Sequence, residues 1–369
     1  MTRLRGPMPV LLLTGFGTLL GLFALEGGAR FVAVRQERSE GRMSRDLDGV
    51  FGPAPRSTAT LGQIIRKSGN PRIVYELRPR LDVIFSGARL TTSDAAHRGP
   101  DVTRPKPSST FRIVGIGDSY LFGQGVSDEE TYLARLPGLM PTVADGRKVE
   151  TVNLGVPGFN TVMEVEILGA RFAGLRPDLV LIEIVGNDLD LPNFLWSEVD
   201  PWTLHRSFLL DFIRARVARR PPDGGVGIGL TAAPREASAE TFLRDADRTP
   251  PAYRSMVGLQ PFKFALEDLA RLGRDHGVPV VAVTHGVWFE PEMVASLQAN
   301  QIPVLILRSA LRQRARSLGA TDYARSALAL SPTDLHPSAI GQIRYWIASA
   351  SRCRSCIRMA IDRIRGTRR

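Results

Sequence analysis

Five short apolar runs constrain this chain more than any other feature: FRIVGIG (111–117), VETVNLG (149–155), DLVLIEIVG (178–186), PVVAVTH (279–285) and IPVLIL (302–307). Each is one strand long. The third is apolar almost without a break, the pattern of a strand covered on both faces. TYLARLPGL, residues 161–174 with apolar positions at helical spacing, 293–299 and 339–350 read as helices between or after the runs. Strands alternating with helices predict an α/β sandwich on a mostly parallel sheet. Right-handed crossovers then bring the C-terminal strand ends to one edge, where loops build sites.

The flanks read differently. Residues 1–7 carry Arg3 and Arg5, and Met8 to Leu25 is an uncharged run of 18 residues, about 27 Å long as a helix. This predicts a retained membrane anchor, with a cleaved signal peptide ending at Ala29 as the alternative. Residues 26–70 read as a stalk. Residues 71–110 read as a small β region, with a hairpin within 73–92, followed by a polar connector. The main domain spans 111–350, with an aromatic insertion at 189–260, and a basic segment, 351–369, closes the chain. Arg30, Arg35, Arg38, Arg42 and Arg45 outnumber the upstream charges, so flanking charge alone points the large domain inward.

The net charge of +11 is concentrated late, since residues 301–369 hold 13 Arg and three acids. Such a C-terminal end suits anionic headgroups or acidic polymer. No nucleic-acid-reading motif accompanies it, so nucleic acid is not an expected partner. Five histidines and two cysteines exclude a disulfide-dense fold and disfavour a Cys/His zinc site. Cys353 and Cys356 form a CxxC pair, a short disulfide or two free thiols.

The chemistry gathers at the strand ends. In GIGDSYLFGQG, Ser119 follows the first strand at the start of a helix and needs a base to become a nucleophile. In SPTDLHPSAIGQ, His336 lies in a loop before the last helix, with Asp334 two residues earlier to orient its ring; Ser338 reads equally as that helix's cap. His285, at the end of the fourth strand, is the rival base. GVPGFN supplies Gly158 and VGND supplies Asn187. With the Ser119 amide they offer three donors to one oxygen. Asp118, Asp188 and His285 are expected to line the pocket. No metal or organic cofactor is required.

These motifs resemble the SGNH hydrolase superfamily, the GDSL-type esterases and lipases, over roughly 111–350. The likeness is carried by GDSY with Ser119, NLGVPGFN with Gly158, GND with Asn187, and DLHP with Asp334 and His336. It implies a flavodoxin-like three-layer α/β/α sandwich with five parallel strands ordered 2-1-3-4-5. It also implies Ser119 as nucleophile, His336 and Asp334 as the acid/base pair, and Gly158 and Asn187 in the oxyanion hole. Tyr120 stands where leucine is common, and the carboxylate precedes histidine by two residues instead of three, Thr333 holding the third place. YELRPRLDVIFSGARLTTSDAAHRG resembles the accessory β region of bacterial membrane-anchored members, with Ser93, Ala96 and His97 departing from it. That branch implies an extracytoplasmic domain, against the charge count. The resemblance implies an esterase that removes acetyl or other short acyl groups from carbohydrate or envelope substrates by an acyl-enzyme mechanism. O-acyltransferase, lipid esterase or lysophospholipase, and non-catalytic membrane scaffold are the alternatives.

Overall fold

The computed structural model describes residues 12–32, 58–59, 61–192, 194–196, 202, 204, 207–210, 213, 230–232, 249, 251–285, 291–332 and 334–342. Several sequence readings fall outside these residues: the 1–7 segment, most of the stalk and of the insertion, the end of the helix at 339–350, and the basic 351–369 segment with Cys353 and Cys356. The chain forms two compact units, residues 1–54 with 196–231, and residues 55–195 with 232–369.

In the first unit, Leu12–Val32 is one helix, long and apolar enough to cross a membrane by length and composition. It runs past Leu25, where the uncharged stretch ends, because its two charges satisfy each other. Arg30 Nε donates to Glu26 Oε1 at 2.9 Å, one turn away. Glu26 also accepts from Ser207 Oγ (2.8 Å) and from the Phe208 and Leu209 amides (2.9 and 3.0 Å). It thereby satisfies amides at the start of the turn at 208–210.

The second unit carries the sheet. Its strands are β1 (Thr110–Ile116), β2 (Lys148–Asn153), β3 (Leu179–Glu183), β4 (Val280–Thr284) and β5 (Val304–Ile306). All neighbours pair in parallel, in the order β2-β1-β3-β4-β5, which is 2-1-3-4-5. From the first sheet strand onward the helices are α1 (Ser119–Phe122), α2 (Tyr132–Leu139), α3 (Thr161–Leu175), α4 (Leu259–His276), α5 (Pro291–Ala299) and α6 (Arg308–Ser317), and a single turn, Leu61–Ile64, precedes them. The sandwich follows from strand alternation. Phe111, Ile113, Leu179, Leu181, Val281, Val283 and Leu305 pack with α2 and α6 on one face. The alternate residues Val114, Ile116, Val180, Ile182 and Ala282 are also buried, facing the other way, and α3 and α4 pack against each other.

Before the sheet, Asp82–Phe85 and Ala88–Thr91 form an antiparallel hairpin, and Ile65–Lys67 pairs with Tyr75–Leu77. After it, β6 (Ala329–Ser331) pairs antiparallel with β7 (Asp334–Pro337). His336 therefore sits on a short strand, a correction to the loop expected from sequence. Local polar chemistry makes the turn, since the Asp334 amide donates to Ser331 Oγ at 2.9 Å. The helical turn at 339–342 follows directly. Ser338 does cap it, accepting from the Gly341 amide at 3.1 Å.

Candidate active site

Ser119 opens α1 immediately beyond the C-terminal end of β1. The Asp118 side chain caps that helix, accepting from the Tyr120 amide at 2.9 Å. From 217 residues away in sequence, His336 Nε2 approaches Ser119 Oγ to 2.7 Å. On the opposite side of the ring, His336 Nδ1 lies 2.5 Å from Asp334 Oδ1, which also accepts the His336 backbone amide at 3.1 Å. Ser119, Asp334 and His336 are all half-buried, so the group is open to solvent at one side.

Asp118 is more than a cap. Its Oδ2 lies 3.2 Å from Ser119 Oγ and accepts from Asn187 Nδ2 at 3.0 Å. A hydroxyl has one hydrogen, so Ser119 donates either to His336 or to Asp118. Neutral His336 takes it through the shorter contact; protonated His336 donates to Oγ and leaves the hydroxyl hydrogen to Asp118. Burial raises the Asp118 carboxyl above its ordinary range, against hydrogen bonds from Tyr120, Asn187 and Ser119 and the charge of His336. Asn187 uses one of its two amide hydrogens on Asp118, in the 3-10 turn Gly186–Leu189 that follows β3. Asp188 points inward, accepting from the Val185 amide at 2.6 Å.

The loop after β2 brings up Gly158, whose φ of +78° is a left-handed conformation that favours glycine. Gly155 passes so close to α1 that a Cβ would lie 2.5 Å from the Phe122 amide nitrogen. The accessory strands brace this loop from outside the sheet. Tyr75 Oη donates to the Pro157 carbonyl at 3.1 Å, and its ring meets Phe159 edge-on at 5.3 Å.

His285, the rival base, has another partner. It is buried with Nδ1 3.1 Å from Glu183 Oε1, and Tyr132 Oη donates to Glu183 Oε2 at 2.8 Å. Burial, then the charge of His336, lowers the His285 pKa well below its ordinary value. Tyr120 touches both imidazoles, at ring separations of 4.6 Å to His285 and 4.8 Å to His336. The unusual residue after the serine thus fills the space between two histidines.

Two features of the site escaped the sequence reading. The first is Arg98, in the accessory region. Its Nη1 donates to the Phe122 and Gly123 carbonyls at 2.6 Å each, its Nη2 to Val126 O at 2.5 Å, and its Nε to Asp128 Oδ1 at 2.8 Å. It therefore closes the end of the helix that Ser119 begins. Its side chain is 3% exposed, so Arg98→Ala leaves Asp128 held by Thr91 alone, strands the Val126 carbonyl and takes a donor from the Phe122 and Gly123 carbonyls. The expected cost is about 3–5 kcal/mol, read as a lower urea midpoint.

The second is a set of buried acids behind the site, of which the sequence pointed only to Asp188. Glu164 on α3, Glu183 on β3 and Asp188 are all buried. Desolvation, then the charge of Asp188, raises the Glu164 pKa well above 4.5. An acid with a raised folded-state pKa stabilises the fold below its unfolded pKa and loses that contribution as pH rises. Between about pH 4.5 and 8, wild type should therefore lose stability relative to Glu164→Gln as pH rises. Urea midpoints across this range check the sign; a gap constant with pH would refute it.

Among the described residues no group of acids, histidines and cysteines could hold a metal ion. Residues 116–343 match the model of the GDSL-like Lipase/Acylhydrolase family. No curated protein matches the chain. Among solved structures, a putative lipolytic protein of the G-D-S-L family from Desulfitobacterium hafniense is similar at 16% identity, over 65% of this chain and 98% of that one, with a TM-score of 0.35. The lipase/acylhydrolase from Enterococcus faecalis is similar at 17% identity, over 65% and 92%, with a TM-score of 0.35. The acetylxylan esterase Axe2 from Geobacillus stearothermophilus is similar at 16% identity, over 63% and 90%, with a TM-score of 0.34.

Proposed function

Because this chain belongs to the GDSL-like lipase/acylhydrolase family, and is therefore an SGNH/GDSL-type hydrolase of the serine acyl-transfer kind, we propose that Ser119, His336 and Asp334 carry its reaction. One observation carries this reading. A single imidazole has the serine hydroxyl at 2.7 Å on one nitrogen and a carboxylate at 2.5 Å on the other, which is the geometry of a general base with its tautomer fixed.

Ser119 Oγ attacks an ester carbonyl carbon, and its proton passes to His336 Nε2. Asp334 holds the Nδ1 proton and offsets the imidazolium charge. The tetrahedral oxygen takes hydrogen bonds from the Ser119 and Gly158 amides and from the remaining amide hydrogen of Asn187. Asp118 acts as a positioning residue, since its 3.0 Å contact fixes the Asn187 side chain. His336 then protonates the departing alcohol. It next takes a proton from water, which attacks the acyl carbon; the bond from that carbon to Oγ then breaks, the proton passes from His336 Nε2 to Ser119 Oγ, and the carboxylic acid leaves.

The substrate is a short-chain ester, acetyl above all, of a carbohydrate or envelope component. The helix Leu12–Val32 anchors the enzyme in a membrane, with the catalytic unit outside the cytoplasm. The test is to present the purified full chain in neutral detergent with a fluorophosphonate probe, then with acetyl sugars and p-nitrophenyl esters of increasing acyl length. Covalent labelling and faster turnover of acetyl than of long-chain esters are expected. Absence of both labelling and turnover would refute the reading. A reporter at Arg369 that is active only inside the cell would reverse the topology.

A further inference from the structure

The helix α6 presents Arg308, Arg312 and Arg316 one turn apart, all exposed. Like charges at this spacing repel, and Arg308 places a positive charge at the unfavourable end of the helix dipole. The first turn of α6 contains no acid. The three guanidinium groups have no carboxylate within ion-pair distance among the described residues. Helix formation alone therefore does not favour this stripe.

The stripe borders a cleft of 630 Å³, whose lining also includes His285, Leu311 and Leu335. Leu311 anchors the helix in the core. Leu335 precedes His336 on β7, and His285 touches the Tyr120 ring that touches His336. The cleft thus lies against the strand that carries the base, on its Leu335 side, and the arginines line it. Asp322 also lines it, but Arg325 shares that charge at 3.9 Å, and the Arg325 amide donates to its other oxygen at 2.9 Å.

We propose that this cleft is a subsite for an anionic group on the alcohol part of the ester, so that the enzyme selects acyl esters of acidic sugars. The inference rests on the hydrolase reading and narrows its substrate class. The recognising chemistry is a carboxylate or a phosphate held by guanidinium groups. A concave site next to the strand of the base fits part of the substrate better than it fits a flat lipid surface.

The test compares kcat/KM of the full chain for three substrates at low salt: a neutral acetylated xylooligosaccharide, an acetylated oligogalacturonide and an O-acetylated sugar phosphate. Wild type should favour an anionic ester over the neutral one by about tenfold or more, with the preference shrinking as salt rises. The variant R308Q/R312Q/R316Q should lower that ratio about tenfold, and the corresponding lysine variant should keep most of it. Which anionic ester leads identifies the carboxylate or the phosphate. A ratio near one in wild type, or an unchanged ratio in the folded glutamine variant, would overturn the proposal.

Binding separates this result from the hydrolase reading. Calorimetry with unacetylated oligogalacturonide and with the unacetylated sugar phosphate needs no turnover. Arginine-dependent binding of either should persist in Ser119→Ala. If neither binds, or if only anionic phospholipid vesicles bind through these arginines, the subsite is refuted.

Discussion

Ser119→Ala is expected to abolish fluorophosphonate labelling and to lower ester turnover by about 10⁴- to 10⁶-fold. The size follows from the contacts. Removal of Oγ deletes the attacking atom and leaves His336 Nε2 without the group 2.7 Å away. The fold should be spared, because the α1 cap depends on Asp118 and the far end of that helix on Arg98. A residual rate above water is expected from the oxyanion donors and substrate binding alone. The readouts are intact-mass labelling and initial rates, with the thermal midpoint as folding control. Full labelling of the alanine variant would place the nucleophile elsewhere.

Asp334→Asn is expected to cost about 10³-fold in kcat/KM, with His336 still in place. An asparagine amide can turn its N–H₂ toward Nδ1, which moves the ring proton to Nε2 and leaves no lone pair to accept from Ser119. The Asp334 side chain is 42% exposed, so water can replace part of its support. This places the loss below the ~10⁴ typical of a fully buried acid. Asp118→Asn provides the contrast, because Asp118 touches the serine and Asn187 but not the imidazole nitrogens. It should slow labelling by disturbing the Asn187 contact, and by less than Asp334→Asn does. A wild-type rate for Asp334→Asn beside a collapse for Asp118→Asn would move the acid's role to Asp118.

The fold was readable because sheet strands announce themselves locally. LVLIE and VVAVT are apolar at every or nearly every position, which only a strand covered on both faces tolerates. The strand order follows from the family resemblance, and the parallel pairing of β1 with both β2 and β3 agrees with it. The strand holding His336 was not readable. DLHP lacks apolar alternation, and its pairing depends on Ala329 and Ser331 opposite. Arg308, Arg312 and Arg316 counted only toward a basic C-terminal end, since a charge sum does not show which arginines share a helix face beside a cleft.

Local sequence determined which segments become strands and which residue types stand at their ends, because burial on two faces and tight turns each demand a particular composition over a few residues. Tertiary structure alone decided what those residues touch. It set Tyr120 between two histidines, tied Asn187 to Asp118, and brought Arg98 and Tyr75 from the accessory region to the loops around Ser119 and Gly158. These contacts join positions far apart in the chain, and hydrogen-bond distance depends on how the elements pack, which no short window of sequence encodes.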